Sequence, residues 1–241
     1  MNRGFWKQLA KPFFVLAPMA DVTDSAFRQI IAKYGKPDAF FTEFVSTDGL
    51  CSIGRKNVMM DLYFTESERP IVAQIWGRNP EHFYTSALLL QELGFDGIDI
   101  NMGCPDANVC KQGGGAALLK EPELAQTIIR ETKRGAGKLP VSVKTRMGYN
   151  VDILEDWIPK LLETEPALIT VHGRTKKEMS DVPAHWDRIG RAAEIVRSRG
   201  SKTLILGNGD VQTLFKRTRG RNARSVHSRT NTRDDRAYFS L

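Results

Sequence analysis

The chain has 241 residues, an apolar fraction of 41% and three cysteines, which allows one large core and argues against a disulfide framework. No apolar run reaches membrane-spanning length, and the N-terminal Met1-Asn2-Arg3-Gly4-Phe5-Trp6-Lys7 lacks a secretory apolar stretch, so the reading is a soluble cytoplasmic protein outside the membrane classes. The net charge of +7 is a property of one end: residues 215–241 hold eight Lys/Arg against two Asp, whereas residues 1–214 hold 27 against 26.

Strand-like and helix-like stretches alternate from the N-terminus. Residues 13–19 form an apolar run that ends at Pro18-Met19, and Asp24 then stands as the N-cap of a helix carrying Phe27, Ile30, Ile31 and Tyr34. Residues 38–43 read as a second strand and 70–76 as a third, after which Pro80 opens a helix with Phe83, Ala87, Leu88, Leu90 and Leu93. Residues 96–101 make a fourth strand with a helix over 121–134, and 140–145 a fifth with a helix over 151–163. Residues 167–172 make the sixth with a helix over 186–199, and 202–207 the seventh.

Strand–helix alternation in this order predicts an α/β protein, a (β/α)8 barrel of the TIM type with seven recognisable units. A doubly wound open sheet is the structural alternative. Polar residues gather at the strand C-termini, at Glu43, Gln74, Asn101, Lys144, His172 and Asn208, which favours a barrel with one active rim. An eighth strand is expected after Asp210, and none is legible there: apolar periodicity stops after Leu214. The domain reading is therefore an incomplete barrel over 1–214 and a basic tail over 215–241. That tail is read as disordered, as an RNA-binding arm, or as the product of a frameshift.

Cys104 is the most pointed chemical signal. Ile98 and Ile100 alternate with Asp99 and Asn101, and Gly103-Cys104-Pro105 cannot continue that strand, so the thiol sits on a loop at a strand's C-terminal end. Cys104 and Cys110 have no histidine or second cysteine pair nearby, and no metal site is expected. Gly113-Gly114-Gly115 is not a dinucleotide fingerprint; it allows close backbone approach to the cysteine loop or to a substrate base. His82 and His185 fall at helix starts, with no chemical role expected.

Six strings in order carry a resemblance. They are Leu16-Ala17-Pro18-Met19-Ala20-Asp21-Val22-Thr23-Asp24, Ala73-Gln74, Asn101-Met102-Gly103-Cys104-Pro105, Val143-Lys144-Thr145-Arg146, Val171-His172-Gly173-Arg174-Thr175 and Gly207-Asn208-Gly209-Asp210-Val211. Together they resemble the tRNA-dihydrouridine synthase family across residues 13–214. The resemblance implies a barrel that binds FMN, uses NADPH as reductant and reduces the C5–C6 bond of uridines in tRNA. It also implies a helical tRNA-binding domain after the barrel, for which these residues hold no counterpart.

On that resemblance Cys104 protonates C5 of the uracil, and Lys144 contacts the flavin and stabilises its anionic reduced form. Gln74 offers its amide to the flavin's pyrimidine edge, Pro18, Met19 and Ala20 form an apolar wall, and His172 lies at the flavin. Asn208, Gly209 and Asp210 hold the phosphate at the end of strand seven, while Asn101, Arg146 and Arg174 face the substrate. Lys111, Lys176 and Lys177 add positive charge for the RNA backbone. The family's second phosphate contact, a Gly-Arg pair after strand eight, has no counterpart in context, since Arg219-Gly220-Arg221 follows strand seven too closely. Two rival functions remain open at this level: a flavin barrel acting on a free pyrimidine, as dihydroorotate dehydrogenases do, and an inactive remnant that only binds RNA.

Overall fold

The protein's structure, a computed structural model, describes residues 2–211 and the backbone of a strand over 237–240. A 3-10 turn, Gly4–Lys7, precedes β1 (Phe14–Leu16) and α1 (Ser25–Gly35). Next, β2 (Ala39–Ser46) leads into two single-turn helices, α2 (Thr47–Leu50) and α3 (Arg55–Val58). There follow β3 (Ile71–Trp76), α4 (Pro80–Glu92), β4 (Gly97–Met102), α5 (Ala107–Lys111) and α6 (Pro122–Ala136). The order continues through β5 (Val141–Arg146), α7 (Leu154–Leu162), β6 (Leu168–His172), α8 (Trp186–Ser198) and β7 (Leu204–Asn208). Neighbouring strands pair in parallel in sequence order, which excludes the doubly wound alternative.

The sequence reading left the ring open after β7. The structure corrects this: β8 (Ala237–Ser240) lies parallel between β7 and β1 and closes the barrel. Seven strands leave two unpaired edges, and any short segment of good strand propensity can satisfy both. Ala237-Tyr238-Phe239-Ser240 is such a segment, but four residues inside a basic stretch are too few to register as periodicity. It is also not a βα unit placed directly after Asp210. Arg219-Gly220-Arg221 lies outside the described residues.

Helix starts follow the local signals. Asp24 Oδ1 accepts the Phe27 N–H at 2.7 Å, and Asn79 Oδ1 accepts the Glu81 N–H at 3.0 Å with Pro80 at the first helical position. The face of α1 differs from expectation: Phe27 and Ile31 pack inward, but Ile30 and Tyr34 are exposed. Arg28 is buried instead, with Nε 2.5 Å from Glu68 Oε2 and its other nitrogens bonded to the carbonyls of Thr23 and Tyr63 at 2.6 Å. That fully buried ion pair fastens α1 to the segment preceding β3.

The two apolar clusters have different jobs. One, with Ile98, Val143, Ile169, Trp157 and Ile189, glues strands to the surrounding helices. The other fills the barrel below the active rim with Val15, Phe41, Val72, Leu168, Leu204 and Leu206, and Trp6 from the N-terminal turn packs into it. Above this fill the interior turns polar, level by level. Gln74, Asp99 and Ser142 are in register at the lower level, Asn101 and Lys144 at the next, and Arg146, His172 and Asn208 at the rim. Strand pleating, which sends alternate residues inward, thereby converts an i, i+2 sequence pattern into stacked layers.

Candidate active site

Cys104 stands at the point where β4 gives way to a loop, and its surroundings fix that loop tightly. Asn101 Oδ1 accepts two backbone N–H groups, from Gly103 at 3.1 Å and Cys104 at 2.9 Å. The Cys104 carbonyl accepts the Ala116 N–H at 2.9 Å and the Cys110 thiol at 3.6 Å. Gly115, at φ +56°, is needed here because a Cβ would lie 2.8 Å from the Cys104 carbonyl oxygen. Gly114 serves another contact, since a Cβ there would meet the Trp76 ring at 2.8 Å. Of the two uses expected for the glycine cluster, approach to the cysteine loop is therefore seen, together with packing on the loop after β3.

Burial pushes the half-buried Cys104 thiol above its ordinary value, against the opposing effect of the Asp106 backbone hydrogen bond. The group is a protonated thiol at neutral pH, the state a proton donor needs. Behind it runs a polar chain. Asn101 Nδ2 donates to Gln74 Oε1 at 3.0 Å, and Gln74 Nε2 donates to Asp99 Oδ2 at 2.6 Å. Ser142 Oγ donates to the other oxygen of Asp99 at 2.5 Å. Burial raises the Asp99 carboxyl to about 6, opposed by those two donors and the Lys144 charge.

Lys144 shares the level of Asn101 and carries no hydrogen bond or ion pair on Nζ among the described residues. Burial and the Arg146 charge lower its ammonium to about 8, with Asp99 and Cys104 pulling the other way. It is mostly charged at pH 7, with the Asp99 carboxylate as an opposing charge but no direct ion pair among the described residues.

The β6–β7 side is built from ions. Arg174, 6% exposed, donates from Nε to the Val182 carbonyl at 2.5 Å, from Nη2 to Asp210 Oδ1 at 2.5 Å and from Nη1 to His172 Nε2 at 3.1 Å. Asp210 Oδ2 also accepts the Ala184 N–H at 2.7 Å. Burial, reinforced by Lys144, Arg146 and Arg174, drives the His172 imidazolium far below its usual value. His172 is thus a neutral ring, with Nε2 accepting from Arg174 and the proton on Nδ1. Gly209, at φ +114°, leaves the space a Cβ would fill against Ala184 at 2.8 Å and the His172 ring at 3.3 Å.

A sequence profile described as Dihydrouridine synthase (Dus) matches residues 15–233. The chain belongs to the dihydrouridine synthase family. It is 46% identical over 213 residues to a probable tRNA-dihydrouridine synthase of Staphylococcus aureus (strain COL), a match covering 88% of this chain and 64% of that one. A probable tRNA-dihydrouridine synthase 2 of Bacillus subtilis (strain 168) matches equally, at 46% identity over 88% of this chain and 65% of its own. The chain thus spans a little under two thirds of the length of these relatives. Among solved structures, histamine dehydrogenase from Rhizobium sp. 4-9 superposes with TM-score 0.56 at 13% identity, covering 83% of this chain and 40% of that one. A variant of NCR from Zymomonas mobilis superposes with TM-score 0.55 at 16% identity, covering 84% and 76%. At such identity the likeness concerns the barrel fold.

Among the residues that the dihydrouridine synthase resemblance singled out, Gln74, Asn101 and Cys104 fall into one hydrogen-bonded chain, with Lys144 in register beside Asn101. His172, Arg174 and Asp210 form a second network, and the Asn208 carbonyl accepts the Gly173 N–H at 3.0 Å beside it. Pro18, Met19 and Ala20 lie on the separate β1 loop, where Met19 is 39% exposed and thus outside the core. Arg146 is only 6% exposed, and it donates to the carbonyls of Gly103 at 2.9 Å, Thr175 at 3.0 Å and Met179 at 3.2 Å. It braces the cysteine loop against the loop after β6. His82 pairs with Asp48 at 2.6 Å and His185 with Glu178 at 3.2 Å, both away from the rim chain.

Sequence reasoning missed Asp99 and Ser142 as members of the site, and Thr42, whose hydroxyl accepts the Gln74 backbone N–H at 3.1 Å. The signal was present: Asp99 and Ser142 are polar residues on inward positions of strands whose outward residues are Ile and Val. Among the described residues no group of acidic, histidine or cysteine side chains could hold a metal ion, and no helix is long and apolar enough to cross a membrane.

Proposed function

We propose that this chain is the barrel of a tRNA-dihydrouridine synthase: it binds FMN, takes reducing equivalents from NADPH and reduces the C5–C6 bond of a uridine in tRNA. The observation that carries the reading is the Cys104 thiol on a braced loop at the end of β4, with Lys144 on the neighbouring strand, in a chain of this family. The fit to FMN rests on the same place. Lys144 is a partly buried cation with no ion pair among the described residues, which suits the anionic edge of a reduced flavin, and the exposed Met19 offers an apolar wall. Gly209 keeps the end of β7 free of side chain, as a phosphate site requires.

FMN, when bound, supplies the hydride that goes to C6 of the uracil. The protein's part is to complete the addition. The Sγ–H of Cys104 gives its proton to C5, leaving a thiolate that water reprotonates, so uridine gains two hydrogens in total. Asn101 fixes the backbone from which that thiol projects. Neutral His172 presents a hydrogen-bonding ring without adding a second titrating charge, and Arg174 keeps its tautomer fixed. The target base must leave its stack to reach the thiol. Tyr149 lies between Lys120, 3.5 Å from the ring centroid, and Lys176, 5.3 Å from it. With Lys111 and Lys177 these groups offer phosphate and stacking contacts at the rim.

The test is to load the purified protein with FMN, add NADPH and unmodified tRNA, and analyse the digested nucleosides by mass spectrometry. Dihydrouridine in the digest is expected. Turnover of free dihydroorotate with unchanged tRNA would contradict the proposal and favour the free-pyrimidine enzyme. RNA binding by a colourless protein that takes up no FMN would contradict it in favour of the inactive remnant.

A further inference from the structure

Asp99 is fully buried inside the barrel, and among the described residues its carboxylate accepts from two neutral donors, Ser142 Oγ and Gln74 Nε2, with no ion pair. A buried charge so placed is costly, and the apolar strand around it offers no packing reason for a carboxylate. Its value becomes clear from the direction of the hydrogen bonds it terminates.

At the far end of the chain stand the N–H groups of Gly103 and Cys104, which can only donate, so the oxygen of Asn101 must face them. That turns Asn101 Nδ2 toward Gln74, whose oxygen must then accept it. The Gln74 amide is left pointing its nitrogen away, toward a group that must accept. An ionised carboxylate is acceptor-only, whereas a hydroxyl or amide leaves the direction open. Two reversible amides between a donor-only end and an acceptor-only end have one fully satisfied arrangement.

We propose that Asp99 is a positioning residue: as the acceptor that ends the Gln74–Asn101 chain, it fixes the orientation of both amides and thereby the backbone position of Cys104. The proposal rests on the reading of Cys104 as the reacting thiol. Its test, however, reads the geometry of the loop and needs no flavin, tRNA or turnover.

The experiment compares Asp99→Leu, Asp99→Asn, Ser142→Ala and Gln74→Leu by iodoacetamide labelling, with each thiol followed by peptide mass spectrometry. Cys51, which lies on the loop after α2 and makes no contact with the Cys104 loop among its hydrogen bonds, serves as the internal reference. Asp99→Leu should change the Cys104 labelling rate by about fivefold or more, the scale expected for loss of a buried hydrogen bond, with Cys51 unchanged. Gln74→Leu should reproduce that change. It cuts the chain in its middle while leaving Asp99 bonded to Ser142, and so it keeps the proposal testable if Asp99→Leu does not fold.

Asp99→Asn should rescue to within about twofold, a small fraction of a hydrogen bond. Its oxygen can accept from Gln74 while its nitrogen faces Ser142, whose hydroxyl has the Ile98 carbonyl at 3.3 Å as another acceptor. Ser142→Ala, which removes the other bond to the same carboxylate, should leave Cys104 unaltered. A packing role predicts otherwise: equal effects of Ser142→Ala and Gln74→Leu, or no rescue by Asn. Either result overturns the proposal, as does an unchanged Cys104 rate in folded Asp99→Leu or Gln74→Leu.

Discussion

The β3–β5 side of the barrel mouth and the β6–β7 side are both polar, but they are held by different physics. The first is a chain of neutral amides running from Asp99 through Gln74 and Asn101 to the N–H groups of the cysteine loop. The second is charged, with Arg174 bonded to Asp210 and His172 beneath the loop after β6. Neutral hydrogen bonds in a dry interior are directional and insensitive to salt, which suits the placement of a single reacting atom. Ion pairs at the rim, where the Asp210 side chain is 41% exposed, are screened and more easily rearranged, which suits the reception of an anionic ligand. Lys144 stands between the two and belongs to neither network, and that isolation is what makes it available.

The comparison is broken most severely by removing the thiol. Cys104→Ala should lower dihydrouridine formation by about 10²–10⁴-fold, the usual worth of a positioned proton donor, with little change in melting temperature. Assay of tRNA reduction beside a thermal melt checks both halves of that statement.

Lys144→Met should cut activity by about tenfold or more and at the same time stabilise the protein by roughly 1 kcal/mol near pH 7. The sign follows from the ammonium's fall to about 8: its charged form is penalised in the fold, and the penalty is present below that pH and fades as pH rises through it. Thermal melts of the variant and parent at pH 7 and pH 9 should differ more at the lower pH.

The pH profile of kcat/KM should separate the two groups. Its alkaline limb falls as Lys144 loses charge near pH 8, whereas protonation of Asp99 near pH 6 leaves an acceptor oxygen for Gln74 and should change little, as is expected of Asp99→Asn. Lys144→Arg, which stays charged, should flatten the alkaline limb.

Gly209→Ala introduces a Cβ at φ +114° against Ala184 and His172. A destabilisation of about 1–3 kcal/mol is expected, with weaker FMN binding by titration. The smallest effect is Asp210→Asn, at about 0.5–1 kcal/mol of stability, because its partner bond is rim-exposed. Its effect should shrink in high salt, whereas the Cys104 loop should not respond to salt at all.

Much of this was legible in the sequence, and the failures have physical causes. The strands β3 to β7 announced themselves because each is a short segment rich in Ile, Val or Leu with a polar residue near its C-terminal end, at Gln74, Asn101, Lys144, His172 and Asn208. Asp24 and Pro80 marked their helices through local hydrogen bonding and fixed dihedrals. The strand β8 was not legible, because a four-residue edge-closing segment is chosen by the gap it fills rather than by its own pattern. Ile30 and Tyr34 count with Phe27 and Ile31 in the apolar pattern of α1, because hydropathy cannot foresee that Arg28 will be neutralised inside by Glu68, 40 residues away in sequence. At the site, the rim residues were visible as chemistry-bearing side chains. Asp99 was hidden in plain view, since a carboxylate within a strand reads as solvent-facing until the barrel shows that the position points inward.

The central claim, that Cys104 delivers the proton that completes uracil reduction, is tested most directly by separating the two half-reactions. Protein loaded with FMN is first reduced by NADPH and then mixed with unmodified tRNA, with flavin absorbance followed in both steps for the wild type and Cys104→Ala. The account predicts unchanged flavin reduction by NADPH in the variant and a reoxidation by tRNA slowed by about 10²-fold or more. Reoxidation of Cys104→Ala by tRNA at the wild-type rate would contradict it.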